Sequence, residues 1–261
     1  MDRIRTIIDK EWAEVFKNRA VLLTVVIMPL VFTLLPLGML TAFRSTGGGD
    51  STDVPAQFAL ACGTNVTAGE CMQIYLMNTF LLMYMIMPLA IPVAIAAYSI
   101  VGEKTTHSLE PLLATPTTTF ELLTGKSLAA AIPAIIATWG CFLLFVAASA
   151  VLGISPVVRA NLSSPTWLAA IFGMGPLMAI AAVNLAVIVS SRVSDPRVAE
   201  QISAILIVPL MVTLLAQVGG LIVVNLSLVL IAIAVVLLVD VGLIILGARL
   251  FQRETILTKW R

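Results

Sequence analysis

Residues 226–248 read LSLVLIAIAVVLLVDVGLIILGA, and this stretch decides the fold. It contains one ionisable side chain, Asp240. A helix needs about 20 mostly apolar residues to cross the hydrocarbon core of a bilayer. Five similar stretches precede it: 20–42, 74–101, 127–152, 167–190 and 202–224. The sequence therefore predicts an all-α membrane protein with six transmembrane helices.

The overall composition excludes a water-soluble enzyme. Of the 261 residues, 60% are hydrophobic and 11% are charged, whereas soluble domains carry about 25% charged residues. The net charge of +1 gives no reason to expect a nucleic-acid partner. With His107 as the one histidine and only three cysteines, we expect neither a metal site nor histidine-based catalysis.

The basic residues predict the topology. We divide the chain into a cytoplasmic interfacial helix (1–19), a six-span transmembrane domain (20–248) and a cytoplasmic tail (249–261). Thirteen of the 15 Lys and Arg residues flank one side of the predicted bundle, and the other side has only Arg44 and Arg159. By the positive-inside rule, both termini are cytoplasmic and the protein lies in the cell's inner or plasma membrane.

The predicted outer loop, residues 43–73, contains Cys62 and Cys71. Two cysteines nine positions apart on an oxidising face can form a disulfide. Free thiols are the alternative interpretation.

The N-terminal segment is predicted to be an amphipathic helix on the inner membrane surface. Lys10, Glu11 and Trp12 lie near its centre, and a basic flank that happens to be helical is the alternative. Its apolar residues recur at helical spacing: Ile4, Ile7, Ile8, Trp12, Val15 and Phe16.

The loop after the second span reads GEKTTHSLEPLLATPTTTFELLTGK, residues 102–126. Leu109, Leu112 and Leu113 form an apolar stripe beside Glu110 on the predicted cytoplasmic face. Such a stripe needs the bilayer or a partner protein to cover it.

This loop resembles the segment between the second and third spans of type 2 permeases of ATP-binding-cassette (ABC) exporters. The N-terminal Lys10-Glu11 matches the Lys-Glu of the same family, and the six spans match its layout, whereas His107 departs from the pattern. The matching residues of the loop are Glu103, Leu109-Glu110, Leu112-Leu113, Thr115-Pro116, Glu121-Leu122-Leu123 and Gly125-Lys126. The resemblance implies a type 2 ABC exporter permease architecture.

The resemblance also implies partners. Loop 102–126 would dock into an ABC ATPase (nucleotide-binding) subunit, which would carry ATP and Mg²⁺, while this chain would bind no cofactor. A second permease copy or a related permease would complete the transporter. Asp195 and Pro196 would form a second ATPase contact, with an ordinary turn as the alternative. The ATPase-coupling residues predicted in the loop are Glu103, Leu109, Glu110, Leu112, Leu113, Thr115 and Pro116.

The chain has no phosphate-binding loop of its own. Gly125-Lys126-Ser127 fits the end of that motif, but Phe120 occupies the position of its first glycine. We therefore expect a subunit without catalytic activity.

A substrate path is predicted beside Met83, Met87 and Pro88 in the second span and Asp240 in the sixth. Bent, methionine-lined helices suit varied apolar substrates, and an intramembrane carboxylate is costly unless it faces water or the bundle interior. The resemblance assigns spans two and five to the path. Ordinary packing of the methionines, and a hydrogen bond from Asp240 to Asn184 or Gln217, are the alternatives.

The preferred function is ATP-driven export of a hydrophobic or amphiphilic substrate, a drug, lipid or peptide. The main alternative is an ion-coupled carrier or channel that works without an ATPase, for example a cation exporter that uses Asp240. A membrane scaffold or immunity protein without transport is a third possibility.

Overall fold

The computed structural model describes residues 2–15, 17, 19–45, 58–59, 62, 66–105 and 119–250. These residues form helices joined by short turns. The helices are α1 (Asp2–Val15), α2 (Arg19–Ser45), α3 (Ala68–Tyr84), α4 (Met87–Thr105), α5 (Thr119–Val151), α6 (Pro156–Leu162), α7 (Pro165–Leu168), α8 (Gly175–Ser190), α9 (Pro196–Ser203), α10 (Ile207–Val218) and α11 (Leu226–Leu250). A π-helical segment, Ala169–Met174, joins α7 to α8, and a 3-10 turn, Ala204–Leu206, joins α9 to α10.

Six segments of the described chain are long and apolar enough to cross a membrane, which confirms the predicted all-α fold with six spans. They are Val21–Ala42, Ala68–Gly102, Glu121–Val151, Pro156–Ser190, Pro196–Val218 and Leu226–Gly247.

The second of these segments is interrupted in its middle. A turn at residues 85–86 separates α3 from α4. Pro88 has no N–H to bond the Tyr84 carbonyl four residues earlier, so a continuous helix would lose a hydrogen bond at this point. The helix also begins earlier than the predicted 74, because Thr67 and Glu70 form a capping box ahead of it.

The fourth and fifth segments also differ from the predicted bounds. A short helix, α6, precedes the predicted start at 167, and its Val158 and Leu162 are fully buried. The fifth segment runs from 196 to 218 rather than from 202 to 224. It ends at a turn whose Gly220 has a φ of 70°, a conformation that favours glycine.

The second segment lies at the centre of the bundle. In its most apolar window 78% of the residues are buried, compared with 11% for the sixth segment, whose apolar side chains face outward. The helix α4 packs against α8, α5 and α2, and α11 packs against α8. The helix α4 therefore lies among three of the long helices of the bundle.

One tryptophan compensates for an irregular backbone in the fourth segment. In the π-helical segment the carbonyl of Ile171 would pair with the N–H five residues later, but that residue is Pro176. The indole Nε1 of Trp139 donates to this carbonyl at 3.2 Å. Because a hydrocarbon environment offers no water to bond a free carbonyl, the contact stabilises the break.

The bundle has two ends, which we name by what they carry. The α1 end carries α1, the end of α4 and the start of α5. The disulfide end carries the bond between Cys62 and Cys71.

At the disulfide end a polar cluster ties α6 and α7 to α3. The side-chain oxygen Oδ1 of Asn78 accepts hydrogen bonds from Asn161 Nδ2 at 2.6 Å and from Trp167 Nε1 at 2.9 Å. Asn78 and Trp167 are both buried. This single acceptor therefore holds two donors in an apolar setting.

We expect Asn78→Ala to destabilise the fold by about 1–3 kcal/mol, because two donors lose one acceptor. The midpoint of unfolding in mild detergent measures the effect. Thr213→Ala is the control, since the Thr213 hydroxyl donates only to the Pro209 carbonyl of its own helix. Equal midpoints for the two variants would contradict the prediction.

Candidate functional site

The helix α1 packs on the bundle and not on the bilayer surface alone. It contacts α5 and α4. Val15 is buried, as expected for a residue of the predicted apolar face. Glu11, which lies at the edge of that face in the sequence, is the most buried of the residues of α1 whose side chains are described. The Glu11 side chain therefore interacts with groups inside the protein rather than with solvent.

Glu11 forms a buried ion pair with Lys126 at the start of the third span. The Lys126 Nζ lies 2.6 Å from Glu11 Oε1, and the two residues are only 3% and 6% exposed. The hydroxyl of Ser99 on α4 completes the group: it donates to Glu11 Oε2 and accepts from Lys126 Nζ at 2.9 Å. We call Glu11, Ser99 and Lys126 the junction cluster.

The junction cluster joins the two motifs that carry the family resemblance. Lys10-Glu11 and Gly125-Lys126 are more than 100 positions apart in the chain, yet their charged side chains meet. The sequence did not reveal this pairing, because Glu11 reads as an exposed residue of a surface helix. One feature of the sequence could have indicated the pairing: the two motifs carry opposite charges, and both are predicted to lie at the same face of the membrane.

Trp12 adds a second contact between α1 and α5. Its indole Nε1 donates to the Ala129 carbonyl at 2.9 Å. Pro133 lies four residues after Ala129 and has no N–H for that carbonyl. The side chain from α1 therefore takes the place of a missing helical hydrogen bond.

A close approach between α1 and the backbone of α5 completes the contact between these two helices. A Cβ atom on Gly125 would lie 2.8 Å from Ile7 Cγ2 and 3.0 Å from Ile7 Cβ. Real Cβ atoms essentially never come this close. The glycine of the Gly125-Lys126 motif thus lets α1 reach the ion pair.

The predicted coupling loop leaves the bundle beside the junction cluster. Ser99 lies close to the end of α4, and Lys126 lies close to the start of α5. Glu103 belongs to the last turns of α4. The other predicted coupling residues of this loop lie outside the described residues: Leu109, Glu110, Leu112, Leu113, Thr115 and Pro116.

The second predicted contact lies at the same end. Asp195 caps α9 by accepting from the backbone N–H of Arg197 at 2.8 Å, and Pro196 occupies the first helical position. Further along α9, Ala199 is fully buried against Ala97 and Val101 of α4. The end of α4 therefore contacts α1, α5 and α9.

The residues predicted for a substrate path are not brought together. Met87 and Pro88 are buried, and Met83 is partly buried against the hydrophobic core, which agrees with their packing interpretation. Asp240 lies on a different helix and is 5% exposed, and neither of its carboxylate oxygens has a hydrogen-bond partner among the described residues. Gln217, one of its proposed partners, donates instead to Thr79 Oγ1 at 3.4 Å.

These features define the class of the protein. Six helices that are long and apolar enough to cross a membrane are typical of a multi-pass membrane protein. The chain matches the family described as ABC-2 family transporter protein over residues 5–230, and it belongs to this family. No curated protein matches the sequence. Members of this family are transport subunits without catalytic activity, and membership implies association with an ABC ATPase and with the membrane.

We expect Lys126→Met to destabilise the protein by about 3–5 kcal/mol, because Glu11 would remain buried without its partner. The double variant Glu11→Leu with Lys126→Met should recover most of that loss, since both charges are then removed. Unfolding midpoints in detergent, analysed as a double-mutant cycle, measure the coupling.

The exposed pair on the same helix provides the control. Lys10 Nζ lies 3.7 Å from Glu14 Oε1, and the two side chains are 40% and 57% exposed. Glu14→Gln should change stability by no more than about 0.5 kcal/mol. Additive losses in the double variant Glu11→Leu with Lys126→Met would show that the buried pair is not coupled.

Proposed function

We propose that the chain is the permease subunit of an ATP-driven ABC exporter. Loop 102–126 and the N-terminus of α9 would dock on a separate ATPase subunit, which would bind ATP and Mg²⁺. Two permeases, either two copies or this chain with a related one, would enclose the path. The substrate would be a hydrophobic or amphiphilic molecule that leaves the cytoplasm.

The junction cluster is the observation that carries this proposal. Both helices that flank residues 106–118 are tied to each other and to α1 by one ion pair and its serine. A loop with fixed ends transmits a displacement, whereas a loop on a loosely packed end would absorb it. Family membership implies association with an ABC ATPase, which would be the source of that displacement.

We further propose that the α1 end faces the cytoplasm. The distribution of Lys and Arg supports this orientation, since 13 of the 15 lie in segments on that side. The ATPase would then reach both predicted contacts from the same compartment. The bonded cysteines at the opposite end fit an oxidising outer face.

We expect Leu112→Glu with Leu113→Glu to reduce co-purification of the cognate ABC ATPase by about tenfold or more, because two charges would enter an apolar contact. ATP-driven transport in inverted vesicles should fall in parallel. The amount of variant in the membrane should not change, since these residues lie outside the spans.

A matched variant controls for added charge at the same end. Ala13→Glu with Lys17→Glu changes two exposed positions near the end of α1 and should keep the ATPase bound. Undiminished association of the Leu112 and Leu113 variant would contradict docking at this loop. Transport in vesicles by the chain alone, without ATP, would contradict the whole proposal.

One observation favours a second candidate function, an ion-coupled carrier. Asp240 is buried without a hydrogen-bond partner among the described residues. An isolated carboxylate in a span is costly, and cation pathways use such groups. A cation or proton would satisfy it.

Asp240→Asn separates the two candidates. If the chain is an ATP-driven permease, the variant should keep ATP-driven transport within about twofold. Its unfolding midpoint should stay equal or rise, because an amide is cheaper to bury than an unpaired carboxylate. Proteoliposomes with an imposed cation gradient and no ATP provide the second measurement. Gradient-driven transport that is lost in Asp240→Asn would establish the carrier instead.

A further inference from the structure

A cavity of about 90 Å³ lies between α4 and the start of the fifth segment. One water molecule needs roughly 10–15 Å³ of such space, so the cavity has room for a small polar head group. Its lining residues are Leu89, Ala90 and Val93 of α4, Glu200 and Ser203 of α9, and Ala204 and Ile207 beyond them.

Two polar side chains line this cavity from one side. Glu200 and Ser203 are three positions apart on α9, so they occupy the same face of the helix. Glu200 is partly buried, and its carboxylate has no hydrogen bond or ion pair with any described residue. The rest of the lining is apolar.

The Ser203 hydroxyl is one of two buried serine hydroxyls without a hydrogen-bond partner among the described residues, and Ser190 carries the other. Ser203 is 1% exposed, and its Oγ has no hydrogen-bond partner among the described residues. Several other hydroxyls in the spans donate to a carbonyl of their own helix, as Thr138 does to Ala134 and Thr33 does to Pro29. Ser203 lies where α9 changes into a 3-10 turn. Its oxygen is therefore left with unused hydrogen-bonding capacity on the helix that lines the cavity.

We propose that this cavity binds the protonated amine head of an amphiphile. The ammonium group would pair with the Glu200 carboxylate and donate to Ser203 Oγ, and its apolar chain would lie along Leu89, Val93 and Ile207. An anionic head group would be repelled by the Glu200 carboxylate, and a neutral alcohol would leave that carboxylate without an opposite charge. The role of this site in substrate selection rests on the proposed function, whereas the binding itself does not.

Exposed apolar side chains follow lining residues in the chain. Ile205 is 65% exposed and comes directly after Ala204, and Val208 is 55% exposed and comes directly after Ile207. The cavity is too small for a whole amphiphile, so a tail would extend over these side chains. We therefore infer that the site selects a ligand by its head group and tolerates different apolar tails.

The test compares four probes that share one tail. They are n-octylamine, octyltrimethylammonium, octanol and octanoate. The full-length chain is placed in lipid nanodiscs, with and without its ATPase, and binding at pH 7 is measured against empty nanodiscs. At this pH an alkyl amine is protonated, as lysine is.

We expect saturable binding of n-octylamine that is at least about tenfold tighter than that of octanol, as for a hydrogen-bonded charge pair. Glu200→Gln should remove that preference and leave octanol binding unchanged. Ser203→Ala should weaken n-octylamine more than octyltrimethylammonium, because the quaternary head has no N–H to donate.

Two variants elsewhere serve as matched controls. Glu14→Gln removes an exposed carboxylate on α1, and Ser190→Ala removes another buried, unpartnered hydroxyl that does not line the cavity. Both should bind n-octylamine as the wild type does. Equal binding of n-octylamine and octanol by the wild type would overturn the proposal without any variant.

The outcomes separate this site from the proposed function. ATP-driven transport of a neutral apolar compound without any amine preference would overturn the amine site and leave the exporter in place. Glu200-dependent amine binding in a chain that never associates with an ATPase would establish the site and overturn the exporter.

Discussion

A bilayer core contains no water to bond a free polar group, and this constraint governs the irregular parts of the bundle. Two prolines leave carbonyl oxygens without a helical donor, and a tryptophan indole from another helix bonds each of them. Trp12 donates to Ala129 ahead of Pro133, and Trp139 donates to a carbonyl ahead of Pro176. Each of these two carbonyls thereby forms a specific contact between helices.

The same constraint explains why both charged groups of the junction cluster are paired and hydrogen-bonded. A buried carboxylate and a buried ammonium each cost several kcal/mol unless they are paired and hydrogen-bonded. Glu11 and Lys126 satisfy each other, and Ser99 bonds both. Replacing such a pair by apolar residues is often neutral for stability, so stability alone does not require the charges. A fixed geometry at the ends of residues 106–118 is the role that we propose for them.

The sequence predicts the number of spans better than their bounds or the contacts between them. Apolar run length determines the six helices, whereas the helices α3 and α9 begin at the local caps formed by Thr67 and Asp195, ahead of the predicted spans. The inward position of Glu11 was not predictable, because hydrophobic periodicity treats a charge as exposed. Likewise, Met87 reads equally well as a lining residue or a packing residue, and only its burial in the core distinguishes the two.

The helix α9 connects the two proposals physically. Its first residues, Asp195 and Pro196, form the cap at the α1 end, and Glu200 and Ser203 line the cavity one to two turns later. Ala199, between them, is fully buried against α4. Under the proposed function, a partner that displaces the N-terminus of α9 would also displace the cavity wall, because both belong to one helix of eight residues. Under the proposed function, docking of the ATPase would change the distance between Glu200 and the apolar side of the site on α4.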